Sequence, residues 1–376
     1  MRNQQKYDTI PERILSDMIR FDIDSDISRA WTVPSAWYRD AESHGRCLDR
    51  IFRRSWHWLA DGSDVRVPGT ASPTSILDGP HCEPLVVTRD RDGHLRVLSN
   101  VCTHRGNLVV NAPCRLNELK CRYHGRRFSL DGTFRHMPEF GETSDFPTPK
   151  DDLVRIAHGS WGDMIFGSID PMMPFEEWIA PMDAHADRMS LTAIRHAPQH
   201  DRDYLVQAHW ALYVENYLEG FHVPFVHAGL NDVLSYQDYR TELLPRGVLQ
   251  IGTGTSPEHC FHGSDVAAYY YWLFPNLMLN VYPWGISMNI VKPLAIDRTR
   301  ISYRTYVWDD ERYDTGAGSD LDRVEREDEE IVEAVQKGMR SRIYERGRYS
   351  VRREQGVHHF HRLLAREFGD ESGSRD

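Results

Sequence analysis

A chain of 376 residues is long enough for two domains with cores of their own. Forty per cent hydrophobic residues read as globular rather than disordered, and a formal charge of −11 argues against a nucleic-acid or polyanion binder. No stretch is apolar and long enough to span a bilayer, and Met1–Asp24 lacks the apolar run of a signal peptide. A cytoplasmic protein that is not membrane-bound is therefore expected.

In chain order, residues 1–55 read as largely helical, with 1–40 forming an N-terminal helical segment that packs on the last domain. From about Arg66 the texture turns to short strands. Pro84–Thr88 and Leu95–Leu98 flank a turn holding Asp92-Gly93, and Phe128–Leu130 and Thr133–Phe134 flank Asp131-Gly132, so both read as hairpins. Trp161–Ile169 reads as one more strand. A helix is then expected from about Asp203 to His222, strands from about Ala268 to Val307, and a long helix from Asp320 to about Arg342. The expected division is 1–40, a small β domain over 41–170, and an α+β domain over 171–376.

Six cysteines, Cys47, Cys82, Cys102, Cys114, Cys121 and Cys260, sit in a large chain without a secretory signal. Cysteines beside histidines in such a chain point to metal rather than disulfides. Cys102-Thr103-His104 and Cys121-Arg122-Tyr123-His124 each offer one thiolate and one imidazole on a loop between strands. A [2Fe–2S] centre with two cysteines on one iron and two histidines on the other needs this arrangement. Gly106 and Gly125 then permit tight loops whose N–H groups can face the sulfurs. The competing reading is a Cys₂His₂ zinc site, although zinc fingers pair C-x₂₋₄-C with H-x₃₋₅-H rather than two mixed pairs. The other four cysteines have no such company and receive no role.

A second constellation lies in Glu215–His227. On a continuous helix Glu215, Glu219 and His222 would share one face, Pro224 would end the helix, and His227 would swing back to the same point. The competing reading is a set of satisfied polar groups on a helix surface. A third ligand is required for a 2-His-1-carboxylate face, which leaves positions open for O₂ and suits ferrous iron. In the long helix Leu321, Val324, Ile331, Val335 and Met339 read as an apolar stripe with Asp328 inside it, and Glu325, Glu327, Glu329 and Glu330 toward the sides. A carboxylate in such a stripe asks for a cation.

Together these motifs resemble the α subunits of Rieske non-haem iron oxygenases, over about residues 45 to His361. The resemblance implies a Rieske β-sandwich domain joined to a helix-grip catalytic domain. It implies a [2Fe–2S] cluster on Cys102, His104, Cys121 and His124, and a mononuclear iron on His222, His227 and Asp328. It implies homotrimers in which Glu219 bridges an iron histidine to a cluster histidine of the neighbouring subunit, with Asn216 near the iron. It further implies O₂ as co-substrate and electrons from NAD(P)H through a separate reductase or ferredoxin. Glu at position 219, Tyr217–His222 and Val357–His361 look most like the choline, glycine betaine and carnitine oxygenase branch. One departure is Arg126, which stands where many relatives carry an aromatic residue after Gly125.

The expected function is hydroxylation or N-demethylation of a small quaternary ammonium compound. An aromatic-ring or aromatic-acid substrate is the alternative, and a Rieske electron carrier without catalysis is the reading from another class. Aromatic residues crowd the strands of the last domain, and Tyr271, Tyr282 and Trp284 are candidates to hold an ammonium group by cation–π attraction. Such runs are more often core, since alternate residues face opposite sides of a sheet.

Overall fold

The computed structural model describes residues 19–368. In the first half, a four-stranded antiparallel sheet runs in the order Leu95–Ser99, Glu83–Arg89, Thr70–Ile76, Cys114–Arg115. A three-stranded sheet of Leu119–Lys120, Arg127–Phe128 and Phe134–His136 faces it. Val86, Leu98, Val109, Val110, Leu119, Phe128 and Leu130 pack with Cys102 and Cys121 into one core, so the metal-binding loops stand on buried apolar side chains. Both expected hairpins form. The strand expected over Trp161–Ile169 forms over Met164–Ser168, while Trp161 ends the preceding strand Ala157–Trp161; the two make a hairpin that turns at Gly162, with φ at +57°, and Met164–Ser168 also pairs with His57–Asp61.

The second half is built on an eight-stranded antiparallel sheet. Its central strands, Gly247–Thr253, Val266–Leu273, Leu277–Tyr282 and Gly285–Ala295, are buried almost throughout, because both faces are covered. Trp272, Met278 and Val291 meet Trp210, Phe360 and Leu364 of two helices on one side. Tyr271, Leu279 and Met288 meet Trp178 and Ile179 of the helix Phe175–Asp183 on the other. Burying such rows supplies the main stabilisation, at about 25 cal/mol per Å² of apolar surface. Among the described residues no helix is long and apolar enough to cross a membrane.

Three expected helical features are corrected. Of the N-terminal segment, residues 1–18 lie outside the described residues, and 19–40 are turns with a single 3₁₀ turn, Trp37–Arg39. The Asp24 and Asp26 side chains accept the backbone N–H groups of Asp26 and Ser28, a local bonding that competes with helix. This segment docks on the C-terminal helix Gln355–Phe368, where His358 Nε2 lies 2.8 Å from the Asp24 carbonyl and Trp37 meets Phe368 edge-on.

The helix expected over Asp203–His222 begins only at Trp210. Arg202–Val206 is a strand paired with Arg298–Val307, and the His209 side chain then accepts the Ala211 N–H as an N-cap. The long helix spans Leu321–Gly338, and its buried face is not the expected stripe. Ile331 and Val335 are each 39% exposed, whereas Glu325, Val332 and Gln336 are buried. The buried face is partly polar because its polar groups are bonded across the interface. Gln336 accepts the His209 N–H at 2.7 Å, and Glu325 accepts the Tyr213 hydroxyl at 2.7 Å.

Candidate metal centres and cavity

The two loops of the first constellation are built alike. The Cys102 N–H donates to the Asn107 carbonyl and the Gly106 N–H to the Cys102 carbonyl; Cys121 with Arg126 and Gly125 with Cys121 repeat the pattern. Gly106 and Gly125 sit at φ of +71° and +75°, where a side chain would be strained. The loops bring His104 Nδ1 and His124 Nδ1 within 3.1 Å of each other. Burial raises the Cys121 thiol, but the N–H groups of Tyr123 and His124 and the Asn107 amide donate to its sulfur and bring it below the usual range. Two buried sulfurs side by side, and two imidazoles that turn the same nitrogen inward, fit a cluster with cysteine on one iron and histidine on the other.

The place left by the missing aromatic is filled. Arg126 is buried, pairs with Asp151 Oδ1 at 2.6 Å, and lies over the rings of Phe134, Phe128 and Phe146. Thr103 donates to the Asp151 carbonyl at 2.8 Å, so Asp151 ties both loops together.

At the second constellation the continuous helix gives way to a break. The helix ends at Tyr217, and the short helix Val223–Val226 starts afresh with Pro224 in its first turn, where a missing N–H costs nothing. Pro224 therefore opens a helix rather than ending one. Glu219 lies in the break, where its carboxylate accepts the N–H groups of Phe221 and His222 and faces His222 Nδ1 at 2.8 Å. Glu215 is carried elsewhere, to the Tyr38 hydroxyl at 2.6 Å.

The break delivers His222, His227 and Asp328 to one point, with ligand atoms all within 4.8 Å of one another. Asp328 Oδ1 lies 3.0 Å from His227 Nε2 and 3.5 Å from His222 Nε2. Sequence reasoning passed over Glu327, which faces His227 Nδ1 at 2.8 Å and is held by Arg323 at 2.9 Å. Each histidine thus donates its Nδ1–H to a carboxylate and turns the Nε2 lone pair inward, a tautomer set by these partners. Burial alone would lower the proton affinity of His227, but Asp328 and Glu327 outweigh it and raise the value. Two nitrogens and a carboxylate oxygen with one side open suit ferrous iron.

A cavity of about 90 Å³ opens on these donors. Tyr213, Tyr217, Tyr239, Tyr270, Tyr282 and Tyr303 line it, together with Asn216 and Glu219. Burial holds the hydroxyls of Tyr213, Tyr217, Tyr239, Tyr282 and Tyr303 well above their usual range, so these rings remain neutral phenols. Of the aromatic candidates, only Tyr282 reaches the cavity. Tyr271 faces the opposite side of the sheet, with its hydroxyl 2.7 Å from His185 Nδ1. Trp284 lies behind, stacked on Tyr282 at 5.2 Å. Strand parity separates Tyr270 from Tyr271, and the i, i+4 spacing of Tyr213 and Tyr217 was the available signal for the residues missed.

Residues 55–147 match the Rieske [2Fe–2S] domain family, and residues 191–369 match the catalytic domain of ring-hydroxylating alpha subunits. The chain is a Rieske oxygenase. Its cofactors are a Rieske cluster and a mononuclear iron, carried by the two matched domains. The oxygenase is 29% identical to the carnitine monooxygenase oxygenase subunit of Escherichia coli K12, over 91% of this chain and 95% of that protein. It is 27% identical to the chloroplastic choline monooxygenase of Beta vulgaris, over 93% of this chain and 80% of that protein. Its fold matches a crystal structure of the quaternary ammonium Rieske monooxygenase CntA, with a TM-score of 0.79 and 23% identity over 93% of this chain and 99% of that one.

Proposed function

We propose that this oxygenase hydroxylates or N-demethylates a small quaternary ammonium compound, with O₂ as co-substrate and electrons from a separate NAD(P)H-linked reductase or ferredoxin. In this reading Cys102, His104, Cys121 and His124 hold the cluster, and His222, His227 and Asp328 hold the mononuclear iron. The bound iron supplies an open coordination face for oxygen chemistry. The chain's own residues do the rest. Glu219 and Glu327 fix the two imidazoles, the tyrosine rings receive the substrate, and the buried sheet behind them excludes water. Glu219 is also the residue through which a neighbouring subunit's cluster would be joined to His222 in a homotrimer.

The observation that carries the reading is the tyrosine-lined cavity opening directly on the three donors. Neutral aromatic faces attract a quaternary ammonium group, which has no N–H to donate to a hydrogen-bond acceptor. The names of the carnitine and choline monooxygenase relatives agree with it. With a surrogate reductase, trimethylammonium compounds should stimulate NADH and O₂ consumption, and formaldehyde release should separate demethylation from hydroxylation. Stimulation by aromatic acids alone would sink the proposal.

Glu327→Gln keeps the shape of the hydrogen bond to His227 but removes the charge. Loss of such an outer partner typically weakens metal binding by about 10–100-fold. Competition with a ferrous chelator should show that loss, while the cluster's absorption spectrum is retained. An unchanged iron affinity would remove Glu327 from the site.

A further inference from the structure

The charge of the cavity lining bears on which quaternary ammonium compounds the site accepts. Apart from the neutral tyrosines, its ionisable side chains are Glu219, Asp328 and the two histidines; among the described residues that line it there is no Lys or Arg. Arg323 of the long helix lines a neighbouring hollow and is already engaged by Glu327. Three of the uncharged polar groups of the lining, Tyr217, Asn280 and Asn289, form a neutral chain. Tyr217 donates to Asn280 Oδ1 at 2.8 Å, and Asn280 Nδ2 and Ser287 Oγ donate to Asn289 Oδ1 at 3.3 and 3.4 Å. Amides and phenols can bond a hydroxyl or carbonyl oxygen, but they cannot neutralise a carboxylate. A buried, unpaired carboxylate is costly, and this one would sit among carboxylates of like sign. Even a doubly charged iron only offsets Asp328 and Glu219, leaving no surplus positive charge for a substrate anion.

We propose that the site takes quaternary ammonium compounds whose other functional group is uncharged, such as an alcohol, and rejects betaine- and carnitine-type zwitterions. This rests on the quaternary-ammonium reading above. The test is calorimetric titration of the holoenzyme with choline, tetramethylammonium, glycine betaine and carnitine, in the absence of reductant. Choline and tetramethylammonium should each bind at least tenfold more tightly than either zwitterion. A zwitterion binding as tightly as choline overturns the charge argument but leaves the quaternary-ammonium reading intact. Binding of none of the four overturns both.

A gain-of-function variant provides an independent arm. Leu230 is half-buried in the lining, where an arginine can extend along the wall. Leu230→Arg should shift the ratio of glycine betaine to choline affinity at least tenfold toward glycine betaine. A folded variant with both metals bound and an unchanged ratio counts against the proposal. Should the variant fail to fold, the titration of the natural chain decides alone.

Discussion

Asp328→Ala should leave a chain that keeps its Rieske cluster but loses the additional iron, with turnover falling by more than roughly a hundredfold. Losing even an outer-shell partner costs metal sites about 10–100-fold, and Asp328 supplies the oxygen that faces both His227 Nε2 and His222 Nε2. The two histidines stay oriented, because Glu219 and Glu327 hold their Nδ1 atoms whether or not Asp328 is present. The defect is therefore one of ligation rather than of folding. The cluster serves as internal control, since its loops stand on a separate core around Val86, Leu98 and Phe128. The measurement is iron per chain alongside the reduced cluster's EPR signal. A variant that retained the additional iron and full coupled turnover would show that another group completes the site.

How far the sequence disclosed this site depended on how local each signal was. The two Cys/His pairs were legible because each sits on a loop of a few residues, closed by a single glycine with positive φ. The helix signals were read with less success, because tertiary bonding overrode the apolar pattern. An acid at 325 looks like a solvated side position, yet it is buried because Tyr213 and Tyr303, from another helix and from a strand, reach it. Ile331 and Val335 look like core and are half-exposed. The break after Tyr217 had no apolar signature at all. It is stabilised by the Glu219 carboxylate accepting two backbone N–H groups, a bond that a helical projection cannot anticipate. The cavity rings come from distant segments, and only strand pairing reveals that Tyr270 lies opposite Asn280 while Tyr271 lies opposite Leu279.

Glu325 leads to the other large expected effect. Its side chain is buried at 1% exposure, and among the described residues no cation pairs with it and its Oε1 has no hydrogen-bond partner. Burial pushes its carboxyl up to about 8, against the pull of the Tyr303 and Tyr213 hydroxyls that donate to it. In the unfolded chain the same group ionises near its ordinary 4.5. Between those values the folded protein binds more protons than the unfolded one, so stability falls as pH rises. The contribution of the neutral acid is complete below about 4.5 and is lost as pH climbs through about 8. The gap corresponds to roughly 5 kcal/mol as a ceiling.

Glu325→Gln keeps an oxygen for the two tyrosines and cannot ionise. In iron-free protein its catalytic-domain unfolding midpoint should vary less between about pH 5 and 8 than that of the natural chain. At the upper end the Gln variant should be more stable to unfolding than the natural chain by a few kcal/mol. Glu325→Ala should instead destabilise below about pH 5, where the natural acid is neutral: Tyr213 and Tyr303 keep only each other, at 3.2 Å, and one buried phenol donor loses its acceptor at about 1–3 kcal/mol. If the Gln variant followed the natural pH profile, the folded carboxyl would have to be ionised at neutral pH. The buried face of the helix that carries Asp328 would then hold a second negative charge beneath the metal site.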